Sequence, residues 1–170
     1  MKKLNLGCGK DIKKGYINLD FMKQQGVDIV HNLNKFPWPF KDNEFDEVYA
    51  SHVLEHVDDL IKTMEEIRRI SKPEAKIKIR APHFSCGVSY RDPTHKRLFS
   101  YFTFDYFEKG EYNLPRFKIS KKKLNFTRLS FTFFNPIVNP FINLSPSIYE
   151  RFLCWIFPCS EVLFELRVIK

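Results

Sequence analysis

LNLGCGKDIKKGYINLD, residues 4–20, decides the predicted fold. One apolar run ends at Gly7 and Gly9, and a second ends at Asp20, only eleven residues after Gly9. A glycine turn after a strand lets a ligand approach the backbone, and a carboxylate at the end of the neighbouring strand can accept hydrogen bonds from a ribose diol. The stretch therefore predicts two adjacent strands that end at a nucleoside-binding site.

The connection between these two runs is short. It has too few residues for a full crossover helix followed by a strand, so we expect the first helix of the fold to be reduced. The dinucleotide pattern GxGxxG is absent because Ile12 stands in the third position. A pyrophosphate on a helix N-terminus is therefore not expected. An ordinary tight turn at Gly7 and Gly9 is the alternative to a ligand site.

The rest of the chain continues the alternation of strands and helices. Apolar residues at helical spacing predict a helix from a cap at Asp58 or Asp59 through Ile70, ended by Lys72-Pro73. Five further strands are predicted at 27–33, 45–51, 75–82, 117–126 and 161–170. Strands separated by a helix indicate a parallel sheet with ligands at the carboxyl ends of its strands. The predicted fold class is α/β, with a doubly wound, mostly parallel, seven-stranded sheet.

The length and composition fit one ordinary globular domain. The chain has 170 residues, of which 44% are hydrophobic and 28% are charged. We expect residues 1–170 to form a single domain, in which 1–80 bind a cofactor and 81–170 supply the acceptor side or a lid.

The cysteines and the apolar runs bear on the location of the protein. The four cysteines form no CxxC pair, and the chain is large for a disulfide scaffold, so reduced thiols are expected. No signal peptide and no transmembrane segment are predicted. A cytoplasmic protein is the resulting expectation.

Positive charge is concentrated in the last third of the chain. The formal net charge is +8, and residues 112–170 hold nine Lys and Arg against three Asp and Glu. No carboxylate occurs between Tyr112 and Tyr149. The basic block at 116–128 has two interpretations, an anionic partner such as nucleic acid or a solvated strand edge guarded by lysines.

The phenylalanine-rich tail has less definite signals. Proline and asparagine predict a broken loop at 135–146, and one short helix is expected after Ser147. The aromatic residues are expected to cover the core. A substrate lid and an oligomer interface are the alternatives.

The series of motifs in the first half resembles a known group. LNLGCG, INLD and VDIVHNLNKFPWPFKDNEFDEVYASHVLEHV look like the class I S-adenosylmethionine-dependent methyltransferases, in particular the small "methyltransferase type 11" proteins. The resemblance runs through about residue 80 and implies a Rossmann-like methyltransferase fold with S-adenosylmethionine as cofactor. The cofactor-binding residues that it implies are Gly7, Cys8, Gly9, Asp20, Asn32, Leu33, Ser51 and His52.

The resemblance also implies a role for each position. The backbone of 7–9 would line the methionine part of the cofactor, and Asp20 would bind the ribose hydroxyls. Asn32, with Leu33 next to it, would face the adenine amino group, and 51–52 would lie beneath the reactive methyl group. The chain departs from the family pattern at three positions. The family usually has an acidic residue at the positions of Asn5 and Asn32 and a glycine at the position of Asp11.

Histidines near predicted strand ends are the candidates for acceptor chemistry. Methyl transfer to a hydroxyl needs alignment with the sulfonium and is helped by a base with a pKa near neutral, for which histidine is suited. The candidate catalytic residues are His95, Asp92, His56 and His83. In RDPTHKR, Asp92 is placed to orient the ring of His95. An ordinary Asp-Pro-Thr turn is the alternative, and no metal is expected because the spacing matches no zinc signature.

These observations lead to one main function and two alternatives. We expect a methyltransferase acting on a small-molecule or carbohydrate-like acceptor. A non-catalytic nucleoside-binding or partner module of the same fold is the first alternative. A nucleic-acid methyltransferase is the second, although ASHV at 50–53 replaces the Asn-Pro-Pro-Tyr type of motif used for base amino groups. Nothing in the sequence indicates the oligomeric state.

Overall fold

The computed structural model describes residues 1–170, and its centre is a seven-stranded sheet in the order β3-β2-β1-β4-β5-β7-β6. The strands are β1 Lys3–Leu6, β2 Ile17–Asp20, β3 Ile29–Val30, β4 Phe45–Ser51, β5 Ser71–Pro82, β6 Phe117–Asn125 and β7 Glu161–Val168. The first five strands run parallel, and β7 is antiparallel to both of its neighbours. Strands β2 and β3 are added on one side of β1, and β4 and β5 are added on its other side. The predicted α/β class with a mostly parallel, seven-stranded sheet is therefore confirmed.

One face of the sheet carries the hydrophobic core because apolar residues alternate along the strands. The register places Leu4 beside Val48, Val48 beside Ile77, and Ile77 beside Leu166. All four side chains are fully buried. This row continues the core across four strands.

Helix α1, Leu60–Ile70, covers this apolar face. The side chain of Asp59 caps the helix by accepting a hydrogen bond from the backbone N–H of Lys62 at 3.0 Å. Met64, Ile67 and Ile70 are fully buried. The helix predicted from the apolar spacing is thus confirmed, including its end before Lys72.

The opposite face of the sheet is polar. Connections that move from β1 to β2 and β3 lie on the face opposite α1, since parallel crossovers are right-handed, and these connections contain no helix. Charged side chains occupy this face and pair across strands, as Lys78 does with Glu47 and Lys76 with Glu165, both at 2.8 Å. The first helix is therefore absent, in agreement with the short connection in the sequence.

Asparagines hold the loop that replaces this helix. Asn5 is 1% exposed and donates to the backbone carbonyl of Asp11 at 2.8 Å and to the side-chain oxygen of Asn18 at 2.9 Å. The same oxygen of Asn18 accepts the backbone N–H of Lys13 at 2.9 Å. A carboxylate in place of Asn5 could not donate either bond. The departure from the family pattern at Asn5 therefore fits the loop.

Short helices follow β5 and β6. Between β5 and β6 lie α2 Val88–Arg91, α3 Asp105–Lys109 and a 3₁₀ turn at Glu111–Asn113. Between β6 and β7 lie a 3₁₀ turn at Thr132–Phe134, α4 Asn135–Leu144, α5 Pro146–Ile148 and a π turn at Tyr149–Leu153.

Helix α4 corrects the expectation of a Pro/Asn-broken loop at 135–146. Pro136 is tolerated in the first turn, where no intrahelical donor is needed. The three asparagines Asn135, Asn139 and Asn143 recur every four residues and therefore lie on one side of the helix. They face the outer edge of β6, the last strand of the sheet.

Each asparagine satisfies the backbone of the β6 edge or of the residues that follow it. The side-chain amide of Asn143 both accepts from the N–H and donates to the carbonyl of Leu124, at 2.8 Å in each case. Asn135 does the same for Thr127 at 3.0 and 2.9 Å. Asn139 accepts the N–H of Phe126 at 2.8 Å. These amides pair with the backbone at the end of β6 and just after it, as a neighbouring strand would.

The expectation that the tail covers the core holds only for a few residues. Ile142, Tyr149 and Cys154 are buried. Most of the large apolar side chains of 129–157 are exposed instead, including Phe141 at 72%. The physical reason is that the inner side of α4 is given to asparagines, which leaves its apolar side chains on the outer side.

Two further features concern the chain as a whole. All four cysteines are free thiols. None of the helices combines the length and the apolar content that a membrane span requires.

Candidate cofactor and acceptor site

The carboxyl ends of the parallel strands meet at one edge of the sheet. Strands β1, β2, β4 and β5 end at Leu6, Asp20, Ser51 and Pro82. Ligands of open α/β sheets bind at this edge. Most of the candidate site residues follow directly on these strand ends.

The two glycines after β1 have different structural reasons. Both have left-handed backbone conformations, with φ of +56° at Gly7 and +48° at Gly9. A Cβ on Gly7 would overlap the side chain of Val53, whereas a Cβ on Gly9 would meet no atom within 4 Å. Gly7 is therefore required by packing within the protein. Gly9 has open space beside it, and this is where a ligand could lie against the backbone.

Asp20 is held in place at the end of β2. Its side chain accepts the backbone N–H of Gly9 at 2.8 Å and that of Met22 at 3.0 Å, one on each carboxylate oxygen. The residue is only 5% exposed. Each carboxylate oxygen can accept further hydrogen bonds, so the group is fixed in position and still able to bind a diol.

Cys8 lies between the two glycines and is 4% exposed. Burial, together with the nearby charge of Asp20, raises the pKa of its thiol to about 11. The thiol is therefore not a nucleophile at neutral pH. Only the backbone of Cys8 is suited to contact a ligand.

The residues after β3 form a turn rather than an open pocket. The side-chain oxygen of Asn32 accepts the backbone N–H of Asn34 at 2.9 Å. Leu33 is 8% exposed, and its carbonyl accepts the indole N–H of Trp38 at 3.0 Å. The side chain of Leu33 thus belongs to the core, and the amide of Asn32 is partly engaged within the protein.

Two exposed apolar side chains beside Asp20 escaped the sequence analysis. Phe21 is 69% exposed and Met22 is 54% exposed. An aromatic ring next to a ribose-binding carboxylate is placed to stack on a base. The signal was present in the sequence, since INLDFM continues apolar after the carboxylate.

Ser51 and His52 end β4 beside a buried ionic network. His52 has a left-handed backbone conformation with φ of +52°. Its Nε2 lies 3.1 Å from the carboxylate of Glu161, which is fully buried at the start of β7. Arg80 donates to the same carboxylate at 2.6 Å, and Asn125 donates at 2.8 Å. The sequence gave no signal for this network, because its members come from four separate strands or strand ends.

The network shifts two pKa values in opposite directions. Burial disfavours ionisation of Glu161, but hydrogen bonds from His52, Arg80 and Asn125 outweigh it and lower the pKa of Glu161 to about 2. Burial likewise disfavours the charged form of His52, but its contacts with Glu161 and Glu55 raise the pKa of His52 above the ordinary value. The network therefore favours a charged His52 at the edge of the site.

The loop after β5 is fastened to the loop after β4. The backbone N–H of Lys96 donates to the carbonyl of Glu55 at 2.8 Å. The guanidinium of Arg97 donates to the carbonyls of Leu54 and Asp58, at 3.1 and 3.0 Å. This guanidinium ties the two loops together and is not free for an anionic acceptor.

The structure brings His56, Asp92 and His95 together between these loops. The rings of His56 and His95 lie edge to face with their centroids 4.7 Å apart. A carboxylate oxygen of Asp92 lies 3.7 Å from Nε2 of His95, which is beyond hydrogen-bond distance. Asp92 also accepts the N–H and the hydroxyl of Thr94, at 2.9 and 2.6 Å. The alternative Asp-Pro-Thr turn is thus present, whereas Asp92 lies near the ring of His95 without a hydrogen bond to it.

Glu55 also escaped the sequence analysis. It is 1% exposed, and neither of its carboxylate oxygens has a hydrogen-bond partner. It lies next to His56 in the chain, and its carboxylate is directed toward the same cluster as His95.

His83 lies apart from this cluster. It is fully buried, with Nδ1 2.8 Å from the hydroxyl of Ser85 and Nε2 3.0 Å from Glu150. Burial opposes ionisation of Glu150, but His83 and Ser100 lower its pKa. His83 therefore connects the end of β5 to the tail.

Comparison with known proteins gives one family match and several solved structures with a similar fold. Residues 8–79 match the family described as "Methyltransferase domain". An S-adenosylmethionine-dependent methyltransferase from Archaeoglobus fulgidus superposes with a TM-score of 0.61 at 18% identity, covering 98% of this chain and 85% of that one. Residues 8–79 thus match a methyltransferase domain, and the whole chain has the fold of class I methyltransferases.

Other solved structures share the fold of this methyltransferase. A methyltransferase from Mesorhizobium loti has a TM-score of 0.60 at 13% identity, covering 98% of this chain and 90% of that one. The [4+2]-cyclase SpnF has a TM-score of 0.63 at 14% identity, covering 98% and 74%. No curated protein matches the chain. The family uses S-adenosylmethionine, and the fold is shared with a protein named for another reaction.

Proposed function

We propose that this chain transfers the methyl group of S-adenosylmethionine to a small-molecule or carbohydrate-like acceptor. The observation that carries the proposal is the buried carboxylate of Asp20, fixed 2.8 Å from the backbone N–H of Gly9 at the carboxyl edge of the sheet. Open space beside Gly9 leaves room for the ligand that this carboxylate would hold.

The cofactor would lie across the ends of β1, β2 and β4. Asp20 binds the ribose hydroxyls, the backbone of 7–9 lines the methionine part, and Phe21 packs against the adenine. Asn32 offers its amide to the adenine amino group, and His52 lies beneath the methyl group. Residues 1–80 then form the cofactor-binding half of a single domain, and 81–170 form the acceptor side.

The acceptor would be activated between the loops after β4 and β5. His95 and His56 are the candidates to take or stabilise a proton, and Asp92 positions the ring of His95. His83 supports this region through Glu150. Arg97 keeps the two loops together, which fixes the distance between acceptor and cofactor, and such alignment supplies a large part of the rate.

Two alternatives remain open to test. A non-catalytic nucleoside-binding module is favoured by the missing helix between β1 and β2. A nucleic-acid methyltransferase is favoured by exposed Lys121 and Lys123 on β6. The free cysteines support a reducing compartment, and we place the protein in the cytoplasm.

The test has two parts. Calorimetric titration with S-adenosylhomocysteine should give a dissociation constant below about 100 μM, and no heat at about 1 mM would contradict the proposal. Once an acceptor is found in a hydroxyl-compound screen, His95→Ala should lower turnover by about 10²–10⁴-fold with cofactor affinity unchanged. His31→Ala, which changes a histidine outside the site, is the control.

A further inference from the structure

The loops after β4 and β5 bring three metal-ligating side chains together. Ligand atoms of Glu55, His56 and His95 all lie within 4.8 Å of one another. About forty residues separate His95 from the other two in the chain, so the arrangement exists only in the folded protein. No metal was expected from the sequence because the spacing of His83, Asp92 and His95 matches no zinc signature.

The cluster contains buried polar atoms that have no partner in the protein. Both carboxylate oxygens of Glu55 and Nδ1 of His95 are buried and make no hydrogen bond. Nδ1 of His52 is 3.4 Å from Glu55, a long contact for a hydrogen bond. Buried polar atoms are nearly always satisfied. Three unsatisfied atoms in one cluster therefore point to a ligand that they share.

The other nitrogen of each ring faces a polar group outside the cluster, and for His56 this group is within hydrogen-bond distance. The hydroxyl of Thr94 lies 2.9 Å from Nδ1 of His56 and donates to Asp92 at 2.6 Å. The second oxygen of Asp92 lies 3.7 Å from Nε2 of His95. Metal-bound histidines are oriented in this way by a hydroxyl or carboxylate on the far nitrogen. Nε2 of His56 and Nδ1 of His95 are left for an ion.

We propose that Glu55, His56 and His95 bind one divalent first-row transition-metal ion. Two imidazoles and one carboxylate form a ligand set that Zn²⁺ and Fe²⁺ use with positions left open for a substrate. Mg²⁺ and Ca²⁺ prefer oxygen ligands only. The two nitrogen ligands therefore favour a transition metal.

The role of the ion rests on the proposed methyltransferase function, and with the ion bound His56 and His95 act as its ligands and not as proton acceptors. An acceptor hydroxyl that coordinates the ion loses its proton to solvent more readily, because the cation stabilises the oxyanion. A lone pair of that oxygen then forms a bond to the methyl carbon, and the carbon–sulfur bond breaks with its electron pair moving to sulfur. The products are the methyl ether and S-adenosylhomocysteine. The acceptor class is then a hydroxyl compound able to chelate a metal.

The first experiment measures metal binding without any turnover. Chelator-treated protein is titrated with Zn²⁺ by calorimetry and with Co²⁺ by visible absorption, and one ion per chain is expected to bind below about 10 μM. Glu55→Gln and His95→Asn should each weaken Zn²⁺ binding at least about 100-fold. Thr94→Val should weaken it about 10- to 100-fold, the usual effect of losing an orienting partner.

Matched controls separate a ligand from a structural group. Glu65→Gln and His31→Asn change the same residue types outside the cluster and should leave Zn²⁺ affinity unchanged. The melting temperature of the metal-free Glu55→Gln protein is measured in parallel, because this variant also removes the 3.4 Å contact between Glu55 and Nδ1 of His52. A lower melting temperature with unchanged Zn²⁺ affinity would show a purely structural carboxylate and overturn the proposal.

Titration of the same samples with S-adenosylhomocysteine distinguishes this site from the proposed function. Cofactor binding without Zn²⁺ or Co²⁺ binding at about 1 mM would overturn the metal site and leave the function standing. Metal binding without cofactor binding would support the metal site and refute the function.

A second, independent observation concerns the tail segment, residues 129–157. Thirteen of the twenty-five large apolar residues with exposed side chains fall in these 29 residues. Their exposed fractions range from 42% at Phe134 to 88% at Leu129. Soluble monomers rarely expose so much apolar surface in one segment unless something binds there.

Helix α4, and α5 with the residues after it, carry these apolar side chains on their outer side. In α4, Asn135, Asn139 and Asn143 face β6, whereas Ile137, Phe141 and Leu144 are 63%, 72% and 84% exposed. In α5 and the residues that follow it, the outward residues are Ile148, Phe152, Trp155 and Ile156. Both segments thus leave large apolar side chains on their outer side, although each also buries apolar residues on its inner side.

Positive charge borders the tail segment. A groove of about 600 Å³ between β6 and α4 is lined by Lys121, Lys122 and Lys123 on one side. No carboxylate occurs between Tyr112 and Tyr149. A second copy seated here would bring like charges together. A bilayer with anionic headgroups offers both an apolar interior and negative phosphates.

We propose that the tail segment docks on an anionic membrane surface. The apolar residues enter the headgroup region, and the lysines beside α4 bind lipid phosphates. The chain lies on the membrane in this arrangement and does not cross it.

Vesicle flotation tests the docking. Wild-type protein should float with vesicles of 70% phosphatidylcholine and 30% phosphatidylglycerol, and much less with pure phosphatidylcholine. Phe141→Ser with Phe152→Ser should weaken binding about tenfold or more. Lys121→Gln and Lys123→Gln should each weaken it about fivefold, and only on anionic vesicles.

A matched variant and the oligomeric state complete the test. Tyr106→Ser with Tyr112→Ser removes exposed aromatics outside the tail segment and should bind vesicles like wild type. No flotation with anionic vesicles would overturn the proposal. A dimer in sedimentation velocity that Phe141→Ser with Phe152→Ser dissociates would assign the surface to a second copy instead.

Discussion

Replacement of Asp20 by alanine removes the one carboxylate that the structure fixes at the cofactor edge. In the folded protein this carboxylate accepts the backbone N–H groups of Gly9 and Met22, at 2.8 and 3.0 Å. Asp20→Ala therefore has two effects. It leaves both N–H groups without their partner, and it removes the group proposed to accept hydrogen bonds from the ribose hydroxyls.

The size of the effect on cofactor affinity follows from these bonds. A hydrogen bond to a charged group contributes about 1.5–3 kcal/mol. Loss of the ribose contact should therefore weaken binding of S-adenosylhomocysteine about 10- to 150-fold. The glycine turn would also loosen, because the backbone N–H groups of Gly9 and Met22 lose their acceptor. This loosening would weaken binding further.

Isothermal titration calorimetry provides the measurement. Asp11→Ala is the matched control, because Asp11 belongs to the same region, is 60% exposed and pairs only with Lys13. It makes the same change in charge and should bind S-adenosylhomocysteine within about twofold of wild type. Unchanged affinity in folded Asp20→Ala would refute the assignment of Asp20 to the ribose.

Three further predictions test the scaffold and the basic strand. Asn139→Ala removes the acceptor for the N–H of Phe126 and should lower the free energy of unfolding by about 1–3 kcal/mol in urea titration; an unchanged free energy would contradict the role given to this amide. The pKa of Glu161, lowered from 4.5 to about 2, gives stability that is present above pH 4.5 and lost as the pH falls toward 2. It amounts to up to about 3 kcal/mol, and Glu161→Gln should remove this part of the pH dependence between pH 4.5 and 2; an unchanged profile would contradict the lowered pKa. RNA and DNA should not bind at about 50 mM salt, and an affinity that falls steeply with added salt would instead favour the nucleic-acid alternative.

The sequence was sufficient for the sheet because its signals are local. The alternation in AKIKIRAP and the apolar run of KLNLGCG specify strands within a few residues. The short connection between Gly9 and Asp20 predicted that the first helix would be reduced. Helix α1 was equally readable, since its cap at Asp59 and its buried face lie within twelve residues.

The tail was misjudged because composition was taken as a guide to burial. Prolines at 136 and 140 indicated a loop, and aromatic residues indicated a core. The deciding feature is the spacing of Asn135, Asn139 and Asn143, whose amides pair with the edge of β6. That pairing depends on a strand outside the segment and has no local signal.

Some residues of the candidate site could be predicted from the sequence, and others could not. Gly9 and Asp20 were recognisable because each follows a strand directly. The clustering of Glu55 with His95 depends on two loops brought together by the backbone bond from Lys96 to Glu55. Contacts between distant loops cannot be read from spacing.

A crystal structure of the complex with S-adenosylhomocysteine tests the central claim most directly. We expect the nucleoside at the ends of β1 and β2, with a ribose hydroxyl about 2.6–3.2 Å from the carboxylate of Asp20. The methionine part of the cofactor should lie against the backbone of Gly9. A nucleoside bound elsewhere, or crystals grown at about 5 mM S-adenosylhomocysteine with no ligand at this edge, would contradict it.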